Sequence, residues 1–140
     1  HRDGGLCRDD AVKVLLIGLD PWLDELEEDL PRLLPSVETK RCGSRFAVVY
    51  WLQRVCILLA EPPFAGIVSA DDVTSIGIRR ALFELHGAWP NMIRVVREPT
   101  DKPSMACTRL LALGLANEIL PRDAGPAHVA MRLATWRNVR

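Results

Sequence analysis

The stretch Val12-Lys13-Val14-Leu15-Leu16-Ile17-Gly18-Leu19-Asp20-Pro21 carries the plainest fold signal in this 140-residue chain. Residues 12–17 form a nearly continuous apolar run with β-branched members. A strand buried on both faces of a parallel sheet reads this way. Asp20-Pro21 then supplies a helix start, because aspartate is a good N-cap and proline suits the first helical position. Leu23, Leu26 and Leu30 recur at helical spacing, while Asp24, Glu25, Glu27 and Glu28 lie mostly off that stripe. Pro31 and Pro35 are expected to end or bend the helix.

Outward from this unit the pattern repeats. Residues 1–10 are polar and glycine-containing, a loose lead-in to a single domain over 11–140. Further strands are expected at 36–41, 55–60, 92–96 and 118–120. Helices are expected at 45–54, 74–86, 102–115 and 126–137, although the β-branched and aromatic content of 45–54 also allows a strand. Gly87 stops the helix at 74–86. Glu61-Pro62-Pro63-Phe64-Ala65-Gly66 reads as a loop leaving the 55–60 strand, since tandem prolines cannot pair within a central strand. Five strands alternating with five helices predict an α/β domain with helices on both faces of a parallel sheet. Ligands in that architecture gather at the carboxyl ends of the strands. The loops at 18–21, 61–66, 97–102 and 121–125 are therefore the places to look for function.

Composition narrows the classes. Apolar residues at 49% and charged residues at 26% are ordinary for a globular domain. Eighteen basic and eighteen acidic side chains cancel, so overall charge gives no case for direct binding to nucleic acid or an anionic membrane. No apolar run approaches the ~20 residues that span a bilayer. Cys7, Cys42, Cys56 and Cys107 are scattered without zinc-ligand spacing and read as reduced thiols of a cytoplasmic protein. A start at His1 rather than methionine suggests a piece of a longer protein.

Two segments resemble the response-regulator receiver family. Leu115-Ala116-Asn117-Glu118-Ile119-Leu120-Pro121-Arg122-Asp123-Ala124-Gly125-Pro126 is similar to the family's Gly-Ala-x-x-Tyr-Leu-x-Lys-Asp-Ala-x-Pro, a variant common in receivers attached to helix-turn-helix transcription factors. Glu61-Pro62-Pro63-Phe64-Ala65-Gly66 resembles the family's Asp-x-x-Met-Pro-Gly loop after the third strand. The resemblance covers roughly residues 11–138. It implies a flavodoxin-like (βα)5 three-layer sandwich with a five-stranded parallel sheet in the order 2-1-3-4-5.

A working receiver moves a phosphoryl group onto an aspartate, with a magnesium ion held by acidic oxygens. The family's acid pair falls on Gly18 and Leu19, and neither binds metal. Asp20 follows one position late and is better explained as the N-cap. The acceptor falls on Glu61 if the proline loop sets the register, or on Ala60 if the apolar strand does. A glutamate there would imitate the charge of a phosphoaspartate, or be a plain solvated carboxylate. The family's strand-four Ser/Thr place falls on Val96 and Arg97, with Thr100 beyond. Its fifth-loop lysine corresponds to Arg122, whose charge would meet Glu61 across the cleft or simply face solvent. Arginine's planar fork makes that replacement non-conservative. The connection between Gly66 and Met92 is longer than usual.

The resemblance with these departures implies a pseudo-receiver: non-enzymatic, without cofactor or metal, and belonging to an atypical two-component regulator. It would act through a protein partner or dimerisation on the face of the fourth helix, fifth strand and fifth helix, with an output domain possible beyond it. That face would draw on residues 105–115 and 127–136. The runner-up is a receiver still phosphorylated through Asp20 and Glu61 at shifted positions. A third reading, a small Rossmann-like enzyme, rests on Glu61-Pro62-Pro63-Phe64, similar to the Asp/Asn-Pro-Pro-Phe/Tyr motif of amino-group methyltransferases. No Gly-x-Gly turn follows the first strand to support it. His1, His86 and His128 form no catalytic arrangement with Ser and acid, and Trp22, Trp51, Trp89 and Trp136 read as core or interface residues.

Overall fold

A computed structural model describes residues 12–43, 63–73 and 76–139. Strand β1 (Val12–Ile17) runs into helix α1 (Pro21–Leu33), then β2 (Val37–Cys42). After the next described stretch comes β3 (Ala65–Ser69), the one-turn helix α2 (Ala70–Val73) and α3 (Ile76–Ala88). The chain continues through β4 (Ile93–Arg97), α4 (Met105–Ala112), β5 (Glu118–Leu120) and α5 (Pro126–Val139). The five strands form one sheet in the order β2-β1-β3-β4-β5, and every pairing is parallel. This is the expected architecture and strand order.

Side chains alternate across the sheet, and each face is covered. Val14, Leu16, Ile67 and Val95 pack beneath Trp22, Leu23, Leu26 and Leu30 of α1 and Val129, Leu133 and Trp136 of α5. Leu15, Ile17, Val68 and Val96 face the other way, onto Ala81, Leu82 and Leu85 of α3 and Cys107 and Leu110 of α4. Helix α1 begins as its sequence dictates. Asp20 Oδ1 accepts the Trp22 N–H at 2.9 Å and Pro21 fills the first helical position. Pro31 does not end the helix: it sits inside it, and the Leu34 N–H still reaches Leu30 O at 2.8 Å. No helix among the described residues is long and apolar enough to cross a membrane.

The structure corrects the third strand. The strand between β1 and β4 is Ala65–Ser69, not 55–60. Ala65 and Gly66, expected in a loop leaving a strand, are the first residues of β3 and pair with Val14 and Leu15. The Phe64 N–H donates to Lys13 O, and Phe64 O accepts the Ile93 N–H, so Phe64 enters the sheet at its amino edge. The proline pair therefore stands just before a strand, β3. Ala-Gly-Ile-Val-Ser is the weaker apolar signal, but its small residues suit a crowded central position. A β-carbon at Gly66 would already stand 3.3 Å from Met92 Cε. The expected helix or strand at 45–54, the run at 55–60, and Ala60 and Glu61 lie outside the described residues. The helix expected at 74–86 is found as α3, two residues later and running past Gly87.

Candidate functional site

The carboxyl ends of β1, β3, β4 and β5 open on one cleft of about 510 Å3. Its first wall is the loop between β1 and α1. Gly18 has φ +129°, a conformation that side chains rarely adopt. The turn points the Leu19 and Asp20 N–H groups at one acceptor, Asp72 Oδ2 of α2, at 3.2 and 3.1 Å. Two successive N–H groups aimed at a carboxylate make a small anion nest. Leu19 itself is 73% exposed. The loop after β1 thus presents two backbone donors, from Leu19 and Asp20, and α2 supplies the anion.

Asp20 does more than cap a helix. Its second oxygen, Oδ2, accepts the Ser69 hydroxyl at 2.6 Å and Arg97 Nη2 at 2.9 Å. Ser69 and Arg97 are register partners at the carboxyl ends of β3 and β4. The Arg97 guanidinium also lies 4.5 Å from the ring centroid of Trp22, a cation–π contact. The Asp20 and Arg97 side chains are only 9% and 8% exposed, so this is a buried ion pair. Burial alone would raise the Asp20 pKa. The Ser69 hydroxyl, the Trp22 N–H and the Arg97 charge outweigh it and hold the carboxyl below its ordinary value. Burial lowers the Arg97 pKa, partly opposed by Asp20, and leaves an arginine that remains charged.

The far wall is Arg122, in the loop between β5 and α5. Its Nη1 donates to Asp71 Oδ2 at 2.7 Å, and Arg97 Nη2 stands 3.7 Å from that same oxygen. The Trp22 indole N–H reaches Ala124 O at 2.7 Å, fixing this loop against α1. Of the expected site residues, Leu19, Asp20 and Arg122 line this cleft, and Gly18 precedes them in the β1–α1 loop. Glu61 lies outside the described residues, and Arg122 meets Asp71. Residue reasoning missed Ser69, Asp71 and Asp72 because it placed the third strand upstream. Arg97 had a signal: a basic residue ending an apolar strand.

Few groups here are free to hold a metal. Gly18 and Leu19 offer no side-chain donor, Asp20 is engaged on both oxygens, and a guanidinium stands beside it. Among the described residues no three of His, Cys, Asp or Glu come together as a ligand set. Cys42 and Cys107 are buried, and burial raises both thiol pKa values, so neither is a ready nucleophile.

No protein-family model and no curated protein matches the sequence. Solved structures do match its fold. A CheY-like response regulator receiver domain protein from Methanospirillum hungatei is similar over 91% of this chain and 94% of its own, with a TM-score of 0.69 and 9% identity. The signal receiver domain of the response regulator NarL from Mycobacterium tuberculosis is similar over 94% of this chain and 99% of its own, with a TM-score of 0.66 and 13% identity. A structure of adenylate cyclase from Rhodopirellula baltica reaches 0.65 at 15% identity, over 89% of this chain and 86% of that one. With sheet order, helix placement and these likenesses in agreement, the chain has the CheY-like fold of response regulator receiver domains.

Proposed function

We propose that this chain is a pseudo-receiver, a signalling module that works by protein contact or self-association and not by phosphoryl transfer. The observation that carries the reading is the Arg97 guanidinium seated on Asp20 Oδ2. Receiver chemistry needs a divalent cation beside a carboxylate acceptor. Here a fixed monovalent cation occupies that neighbourhood, and the acid-pair positions are Gly18 and Leu19. The residue at the carboxyl end of β3 is Ser69, fully buried and already bonded to Asp20. These residues do not fit magnesium.

The surface supports the same reading. Met105, Leu111 and Leu113 on and just after α4, and Met131 on α5, are 45–70% exposed. Helices α4 and α5 flank the same sheet edge, β5, from opposite faces, and a contiguous exposed apolar patch there would mark a protein-binding face. The partner would be another protein or a second copy, in a cytoplasmic regulator. The test is treatment with acetyl phosphate and magnesium, followed by intact-mass and peptide spectrometry. The expected result is unmodified protein. A stable acyl-phosphate adduct on Asp20, Asp71, Asp72 or Glu61 would overturn the proposal in favour of a receiver phosphorylated at a shifted acid.

A further inference from the structure

Two arginines from neighbouring strand ends converge on a single carboxylate. Asp71 Oδ2 lies 2.7 Å from Arg122 Nη1 and 3.7 Å from Arg97 Nη2. Asp71 and Arg122 are 44% and 38% exposed, so this contact faces the open cleft. Arg97 Nη2 also donates to Asp20 Oδ2 and Ser69 Oγ, so it meets Asp71 as a charge at 3.7 Å and leaves the hydrogen bond to Arg122. Paired guanidinium groups are the usual protein receptor for carboxylate or phosphate oxygens.

We infer that Asp71 is a built-in anionic ligand: its carboxylate fills an anion subsite formed by Arg97 and Arg122, and so holds the carboxyl ends of β3, β4 and β5 in one arrangement. The inference rests on the pseudo-receiver reading and deepens it, since a tethered anion makes a transferred one unnecessary. Its placement is helped from below. Asp72, the next residue, is anchored on the Leu19 and Asp20 N–H groups, which fixes the turn that aims Asp71 at the arginines. A tethered group acts at high effective concentration, so a free anion competes poorly while the carboxylate is present. Asp20, Asp72 and Glu25 also line the cleft and oppose an incoming negative charge.

The experiment removes the tether and offers a free anion. Trp22 is the reporter, because its ring faces Arg97 and its indole N–H bonds to the β5–α5 loop. Inorganic phosphate, without magnesium, is titrated into 15N-labelled protein while the Trp22 indole signal is followed. Sodium chloride at matched ionic strength is the control. The expected result is no saturable shift in the wild type and a saturable one in Asp71→Ala, with binding about tenfold or more tighter. The response should disappear in Asp71→Ala with Arg122→Ala. Equal binding to the wild type would mean that Asp71 does not occupy the subsite and would overturn the inference. So would a shift that chloride reproduces, or no shift in either Asp71→Ala or the shape-conserving Asp71→Asn. None of these outcomes depends on acyl-phosphate formation, so the two proposals fail separately.

Discussion

A β-carbon at position 18 would stand 2.7 Å from Asp72 Cγ and collide with the carboxylate oxygen beyond it. The backbone there is also in a region that only glycine enters cheaply, at φ +129°. Both facts follow from one arrangement, in which Asp72 is drawn onto the Leu19 and Asp20 N–H groups. Gly18→Ala should therefore lower stability by about 1–3 kcal/mol, the usual range for a residue forced into such a conformation. Adding Asp72→Ala removes the collision and the nest's anion together. The double variant should be more stable than the sum of the two single losses predicts, measured by urea unfolding of all four proteins. Gly18 is thus a requirement of the turn that seats Asp72. That much was half legible. The sequence shows an acid-free loop and a helix cap at Asp20, because both are local. Ser69 and Arg97 lie 49 and 77 residues further along the chain, so the second half of Asp20's work appears only when β3 and β4 are placed.

At the scale of elements, β1 and β4 were readable as apolar runs, and α5 by its Gly125-Pro126 start. Strand β3 was not, because a longer apolar run lies upstream and the proline pair is ambiguous about which side the strand is on. Arg94 shows a different limit. It sits between Ile93 and Val95 in a strand buried at every residue and is itself 1% exposed. Among the described residues no carboxylate pairs with it. Its guanidinium instead gathers carbonyls: Met92 O at 2.7 Å, Gly114 O at 3.0 Å and Leu115 O at 3.2 Å. Those oxygens end α4 and precede β4, so Arg94 joins the turn after α4 to the approach of β4. Gly114, at φ +73°, permits the tight turn that presents them. Arg94→Met keeps much of the volume and leaves buried carbonyls without donors. Each costs about 1–3 kcal/mol, so the expected loss is roughly 3 kcal/mol in chemical denaturation. A loss under about 1 kcal/mol would show that water replaces the guanidinium.

For the whole molecule, alternation of strands and helices was sufficient to predict layers, parallel pairing and one edge at which all the strands end, because those follow from chain connectivity. The chemistry at that edge was not legible in the same way, since it depends on which residue ends each strand, and one residue of register decides that. The Asp20–Arg97 pair ties β1, β3 and β4 through one carboxylate, and its contribution to global stability has a definite pH signature. The folded-state pKa of Asp20 lies below its ordinary value, first against the cost of burial and then by the Ser69, Trp22 and Arg97 contacts. A carboxyl depressed by folding stabilises at pH above its unfolded pKa of about 3.9, and that stabilisation is lost as pH falls through the folded value. Asp20→Asn removes the titration while keeping the side chain's shape and leaving every other carboxylate in place. The stability difference between wild type and Asp20→Asn should therefore be constant near neutrality and shrink as pH falls below about 4. Urea unfolding of both proteins across that range measures it, and the difference isolates Asp20 because all remaining acidic groups are common to the pair. A difference that stays constant into strong acid would mean that the Asp20 charge, and with it the fixed cation beside it, does not hold the cleft together.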